Sequence, residues 1–427
     1  MSASAVPVPA PDLSSSERQL VESSRSGHNL DLSSGDRVVR AEVIYDLCTG
    51  RYPDGPVHAR GVRLSNAIVT GQLDFSGAQL LTPLYLTNCN FQEKILFRDA
   101  RARTLSLEGS TLPGFEGERA EINGALALKN CRGLQRVRLS DSSIGVLNLE
   151  GAHIDGGEEF PLRADRIAVR GSVFLRRGFD CKGGVSLEDA RIGGRLDCSE
   201  ALIARTTSDA LSAIGLDLKG MLDFSRARIK GRIRLAAAQI GGVALLDGSV
   251  FENGAETTLG ADGAQFRSAV LFRNCNMQGT VSLAFASVAA TLECDGGTFS
   301  APSADCLRLT EVRTAGSIIL SSTFEGLVDL EGAQAGGDLL AGPAVFRNPG
   351  KMAFRADGAV IRSSLRLDSV QVEGSVSLAV ARVANSMAWQ GATSVRGDVL
   401  AGEIAVQGHV ITGPDLRVHG KFSMPGA

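Results

Sequence analysis

Short triplets with apolar first and third residues recur along most of this chain. From Val62 to Leu107 they read Val62-Arg63-Leu64, Leu73-Asp74-Phe75, Leu84-Tyr85-Leu86, Ile95-Leu96-Phe97 and Leu105-Ser106-Leu107, ten or eleven residues apart. A second apolar pair follows within each unit, as Ala78 and Leu80 follow Leu73 and Phe75. A helical period of 3.6 does not sustain this i, i+2, i+5, i+7 spacing, whereas two short strands separated by a turn do. Alternation within a strand then turns the flanking residues inward and the middle residue outward. Two units, about 22 residues, make one four-sided coil, and successive coils pair as parallel ladders with a rise of about 4.8 Å. The expectation is an all-β solenoid, a parallel β-helix closed at its start by a short helix.

A longer period of about 48 residues lies over the short one. First triplets begin at Leu126, Val173, Leu222, Val270, Ile318 and Leu365, second triplets at Val137, Val185, Ile233, Val281, Val328 and Val376, and third triplets at Leu147, Leu196, Val243 and Leu292. A half-motif recurs as Leu162-Arg163-Ala164-Asp165, Leu259-Gly260-Ala261-Asp262 and Phe354-Arg355-Ala356-Asp357. Extra residues rich in Gly, Pro, Asn and acidic side chains recur near 112–117, 155–161, 202–209, 251–258, 299–305 and 346–352. Spaced by two coils, they are expected to project in a row from one corner.

The ends break the pattern. Residues 1–35 read as a flexible segment, with a short helix over Ser15 to Ser24. Residues 36–56 read as a helical cap with an apolar stripe of Val39, Val43, Ile44 and Leu47. The solenoid is expected over 57–412 and a tail or second cap over 413–427. Fifty glycines against 13 prolines, without a G-X-Y period, exclude collagen and place glycine at coil corners. The net charge of -3, from 44 basic and 47 acidic residues, does not mark a nucleic-acid binder. No secretory signal or apolar run of membrane-span length is visible, and Cys89, Cys131, Cys198, Cys275 and Cys294 fall where other repeats put small or apolar residues. Reduced thiols and a cytoplasmic location follow.

The runs Leu73-Asp74-Phe75-Ser76-Gly77-Ala78-Gln79-Leu80, Leu147-Asn148-Leu149-Glu150-Gly151-Ala152-His153-Ile154 and Val328-Asp329-Leu330-Glu331-Gly332-Ala333 resemble pentapeptide-repeat proteins. The resemblance covers roughly Val57 to Val410 and implies a right-handed quadrilateral β-helix. The chain also resembles actinobacterial proteins labelled membrane-associated oxidoreductases, although no motif here supplies a cofactor site. Some pentapeptide-repeat proteins bind topoisomerases as mimics of duplex DNA, which requires a continuous acidic stripe. The middle residues Ala127, Asn148, Phe174, Asp197, Asp223, Ala244, Leu271, Glu293 and Ile319 interrupt such a stripe with apolar side chains.

Three sets of residues are candidates for function. Phe174, Leu271 and Ile319 point outward on one wall and suit a protein interface. Arg138, Arg163, Arg234, Arg308 and Arg355 form a broken basic line with the potential to bind an anion, although solvated ion pairing with nearby Asp or Glu is the simpler expectation. Asp197, Asp217 and Asp223 are the best carboxylate cluster for acid-base catalysis. His28, His58, His153, His409 and His419 are scattered without metal-ligand spacing, so neither a metal nor a cofactor is expected. The leading expectation is a non-enzymatic scaffold that binds a protein partner, with a homodimer as one form, through its corner loops and mixed apolar wall. The alternatives are an enzyme with a groove beside the loops and a topoisomerase-interacting DNA mimic. Direct nucleic-acid binding is not expected, and peripheral membrane contact stays open.

Overall fold

The computed structural model describes residues 13–52 and 55–426, apart from the side chains of 206–208, 255 and 303. The chain falls into two compact units, Met1–Gly156 and Gly157–Ala427. Each is a parallel β-solenoid, as the triplets predict. Of the tail expected at the start, Met1 to Pro11 lies outside the described residues.

In the first unit, helix α1 spans Ser15–Ser26 and helix α2 spans Ala41–Thr49. Ser14 and Glu17 form a capping box at the start of α1, each side chain accepting from the other's main-chain N–H. Glu17 does a second job. Its carboxylate, only 2% exposed, also accepts from the main-chain N–H and the guanidinium of Arg40, the residue that caps α2. Burial alone raises its pKa, but the hydrogen bonds and charge of Arg40 and the amide of Ser14 outweigh that and hold it at about 2. The apolar stripe expected of the cap is split between elements. Val43, Ile44 and Leu47 lie on α2, whereas Val39 sits in a strand paired with Val69. Tyr45 of α2 stacks on Phe75 at 5.5 Å and extends a column through Phe97 and Phe115, so the helix lies against the aromatic interior of the coils.

The second unit shows four walls. Wall 1 carries the inward residues Val185, Leu211, Ile233, Leu259, Val281, Leu307, Val328, Phe354 and Val376 in successive rungs. Wall 2 runs through Ile192, Leu218, Ile240 and Phe266, and wall 3 through Leu196, Leu222, Ala244, Val270 and Leu292. Wall 4 runs through Ile203, Ile229, Phe251, Met277 and Phe299. Rungs continue past Thr412 to Arg417–Val418 and Phe422–Ser423, in the segment that the sequence leaves as a tail. Weak triplets with few large residues hid them.

The period of 48 residues is a pair of unequal coils. From Val185 to Leu211 the chain takes about 26 residues and from Leu211 to Ile233 about 22. The difference is a register shift between walls 4 and 1, at 204–209, 252–257, 300–305 and 347–352. Four of the six expected corner loops lie here, with tips such as Pro349, Gly350 and Lys351 exposed, whereas Gly114–Glu116 in the expected loop at 112–117 is a buried strand paired on both sides. The next, shorter coil turns at a glycine, Gly231, Gly279, Gly326 or Gly374, with φ from 108° to 136°, and the loop carbonyls lie on the last three. A Cβ on Gly374 would come within 2.6 Å of the Asn348 carbonyl and 2.8 Å of that of Lys351. In two of the loops an asparagine amide closes the turn, Asn253 onto the Thr257 carbonyl and Asn348 onto that of Met352, both at 2.6 Å.

The half-motif explains another stitch. Asp165, Asp262 and Asp357, roughly 96 residues apart, accept from the hydroxyls of Ser186, Ser282 and Ser377 one rung later. They also accept from the main-chain N–H of Glu188, Ala284 and Ala379. Long and short coils are therefore tied by side chains as well as by the ladder.

At the turn between walls 1 and 2 one residue of each coil adopts a left-handed conformation. Gly263, Gly332 and Gly358 do so without strain, but Phe285 (φ 58°) and Val380 (φ 53°) do so with bulky side chains 62% and 48% exposed.

Two predictions follow from this geometry. Gly374→Ala combines the positive φ with a main-chain clash and is expected to cost at least about 2 kcal/mol, whereas Gly350→Ala in the overlying loop, with open space around it, costs only about 1. Val380→Gly should stabilise by roughly 0.5–1 kcal/mol. Denaturant melts of the three variants give the order. For Glu17, a folded pKa lowered from 4.5 to about 2 means that its stabilisation is complete above about pH 5 and fades as the pH falls toward 2. Glu17→Gln should therefore lose roughly 3 kcal/mol at pH 7 and much less at pH 3, read from melts at the two pH values.

Candidate functional site

The outward residues of wall 3 form one column. In register it reads Phe174, Asp197, Asp223, Leu245, Leu271, Glu293, Ile319, Leu340 and Arg366. Phe174, Leu271 and Ile319 thus share a wall. The list of middle residues needs one correction. Ala244 is inward and buried, and Leu245 takes the outward place. Val243-Ala244-Leu245-Leu246 is apolar throughout, so alternation alone allows two registers there. With the register set, Leu245 and Leu340 join the candidates, and half-buried Met221 and Val243 extend the patch on one side.

The carboxylates occupy two walls. Asp197 and Asp223 are register partners on wall 3, whereas Asp217 lies on wall 2 and is bound by Lys219 at 2.8 Å. Asp197 is 2% exposed and accepts from Arg176 at 2.7 Å and from the N–H and hydroxyl of Ser199 at 3.1 and 2.7 Å. Arg195 approaches it at 3.6 Å. Both guanidiniums also lie over the Phe174 ring, at 4.6 and 5.2 Å from its centroid. Burial alone pushes the Asp197 acid toward its neutral form, but Ser199 and Arg176 outweigh it and hold the carboxyl below its ordinary range. Asp223 accepts from the N–H of Ser225 at 2.8 Å. Asp197 is thus held ionised in a clamp of two arginines, a geometry that fixes Phe174 more evidently than it prepares proton transfer.

The basic line is matched by carboxylates. Arg163 lies 3.8 Å from Asp165, Arg234 3.1 Å from Asp209 and Arg308 2.7 Å from Asp305. Arg355 reaches Asp329 at 2.7 Å and Glu331 at 3.1 Å. Arg138 is the register partner of Glu116, whose buried carboxylate is held by Lys94, Arg98 and Arg136. Wall 4 is neutralised in the same manner by an alternating row, Glu325, Arg347, Glu373 and Arg396, with contacts of 3.6–3.7 Å.

A recess of about 310 Å³ opens at the corner between walls 3 and 4, lined by Gly296, Gly297, Ser321, Ser322, Thr323 and Pro343 among others. It arises where the coil from Leu320 to Phe324 turns with one residue fewer than its neighbours. Its lining is uncharged and contains neither Asp197 nor Asp223. Cys198 and Cys294 are fully buried, and burial pushes their thiols well up. Among the described residues, no three His, Cys, Asp or Glu side chains are grouped to hold a metal ion, and no helix is long and apolar enough to cross a membrane.

No family model, curated protein or solved structure matches the chain. The parallel solenoid agrees in general terms with a pentapeptide-repeat-like β-helix, and no sequence match ties it to a particular family or to oxidoreductases.

If Asp197 is a structural clamp, Asp197→Asn should cost about 1–3 kcal/mol, because Arg176 keeps its charge in a half-enclosed site. Asp223→Asn should cost under about 1 kcal/mol. Denaturant melts of both variants check the difference.

Proposed function

We propose that the second unit is a non-enzymatic protein-interaction scaffold and that wall 3 is its docking face. The observation that carries this reading is the contrast between walls. Walls 1 and 4 display arginines and carboxylates already engaged with one another. Wall 2 displays exposed polar residues such as Gln239, Gln265 and Gln334. Wall 3 alone presents Leu245, Leu271, Ile319 and Leu340 in line, with one break at Glu293. A parallel sheet is ordinarily covered on both faces, and an apolar outer face is the kind of surface that a partner covers.

The corner loops support the scaffold differently from what their spacing suggests. They lie between walls 4 and 1, across wall 4 from the apolar column, and their main chain packs on the glycines of the next coil. We assign them to bracing the rod. The docking surface is rigid because Leu245, Leu271, Ile319 and Leu340 belong to rungs paired on both sides.

The test compares three baits in extracts of the source cells: the natural chain, Leu271→Lys with Ile319→Lys, and Gln265→Lys with Gln334→Lys as a control on wall 2. Proteins retained by the natural chain and the control should fall at least tenfold on the wall 3 variant, with all three baits folded by circular dichroism. Recovery of the same proteins by all three baits would exclude wall 3 as the docking face.

A further inference from the structure

We infer that the partner of wall 3 is a basic amphipathic helix lying along the rod axis, an inference that rests on wall 3 being a docking face. The spacing of the column matches a helix. Leu245, Leu271, Ile319 and Leu340 stand on a column whose rungs repeat about every 4.8 Å, close to the 5.4 Å pitch of an α-helix. A helix along the column offers one apolar side chain per turn to nearly every rung. Leu245 to Leu340 covers four rung intervals, about 19 Å, or some 13 helical residues. The apolar strip is widened by Met221 and Val243 at its first rungs and narrows to a single column at the later ones, with Thr291 and Ser317 beside it on one edge and Asp295 and Ser321 on the other. Such a strip suits the apolar face of one helix better than a second sheet.

The charge of the face favours a basic one. Between the rungs of Met221 and Leu340 this face carries Asp223, Asp247, Glu293, Asp295 and Asp338 against Arg273, while Arg226 at the corner beside Asp247 is paired with Glu200. Arg273 is already engaged by Glu293 at 2.7 Å and feels Asp247 and Asp295 as well. The face therefore keeps a negative excess, in a chain whose total is only -3. Asp247 stands half-buried at the edge of the strip, where its charge would attract a lysine or arginine. The same charge disfavours other occupants. A second copy would bring two acidic faces together, and a nucleic acid would bring phosphates against carboxylates.

Two amidated 16-residue peptides, each with leucines at helical spacing, test the assignment by fluorescence anisotropy on the full chain. One carries lysines beside the leucine face and the other carries glutamates there. The lysine peptide should bind with a Kd of roughly 100 µM or tighter, at least tenfold more tightly than the glutamate peptide, and more weakly as salt rises. Leu271→Lys should weaken it at least tenfold and Asp247→Asn at least threefold, while Gln265→Lys on wall 2 leaves it unchanged. Equal binding of the two peptides, no saturable binding, or binding indifferent to Leu271→Lys would overturn the inference. If the peptides fail while the natural chain still retains proteins in a wall 3-dependent manner, the helix is rejected and the docking face is kept.

Discussion

Every strand in this protein depends on the pairing of one coil with the next. A solenoid rung has no partner within its own coil, so its N–H and C=O groups are satisfied only if the coils before and after keep its register. A slip of one residue would turn inward side chains out along an entire wall. Any change in coil length must therefore be taken up at a corner. The long coils do this between walls 4 and 1, where the added residues fold over a glycine of the shorter coil that follows. The recess between walls 3 and 4 is the opposite case, a corner with one residue removed and the rungs on both sides undisturbed.

Register also decides which parts of the surface vary freely. Inward positions must fill the space between neighbouring coils, and they do so with aliphatic residues and with a run of Phe272, Phe299, Phe324, Phe346 and Phe354 at 5.1–5.8 Å between centroids. Outward positions face no such demand. On wall 1 they hold the aspartate and serine stitches and arginine pairs, and on wall 4 the alternating charges. Arginines and carboxylates at the spacing of rungs neutralise one another, which is why the basic line legible in the sequence is matched by acidic partners.

The fold was legible because alternation and turn residues repeat together. Val62-Arg63-Leu64 and Leu84-Tyr85-Leu86 are paired wall strands, Leu73-Asp74-Phe75 keeps its place on the wall through a lone bridge from Asp74 to Leu96, and the period of 48 residues proved to be a long coil followed by a short one. The bracing of the loops on the next coil was not legible, since nothing in Phe346 to Phe354 shows that its carbonyls will rest on Gly374. That contact joins residues from different coils, and only the rung register brings them together. The candidate site was half legible for the same reason. Phe174, Leu271 and Ile319 were placed on one wall, but the all-apolar run at Val243 to Leu246 concealed Leu245, and Asp247 and Asp295 gained meaning only beside Arg273. Asp197 and Asp223 were correctly paired by spacing, while the arginine clamp on Asp197 required the neighbouring rung.

We propose that the uniform core supports walls of different character and that wall 3 is the one a partner covers. Carbene footprinting of the intact protein, in buffer and in an extract of its source cells, addresses that claim without presupposing the partner. Labelling of Leu245, Leu271, Ile319 and Leu340 should fall in the extract, while labelling of Gln265 and Gln334 on wall 2 stays as it is in buffer. Unchanged labelling of the wall 3 residues, with protection at wall 2 or along the corner loops instead, would contradict it.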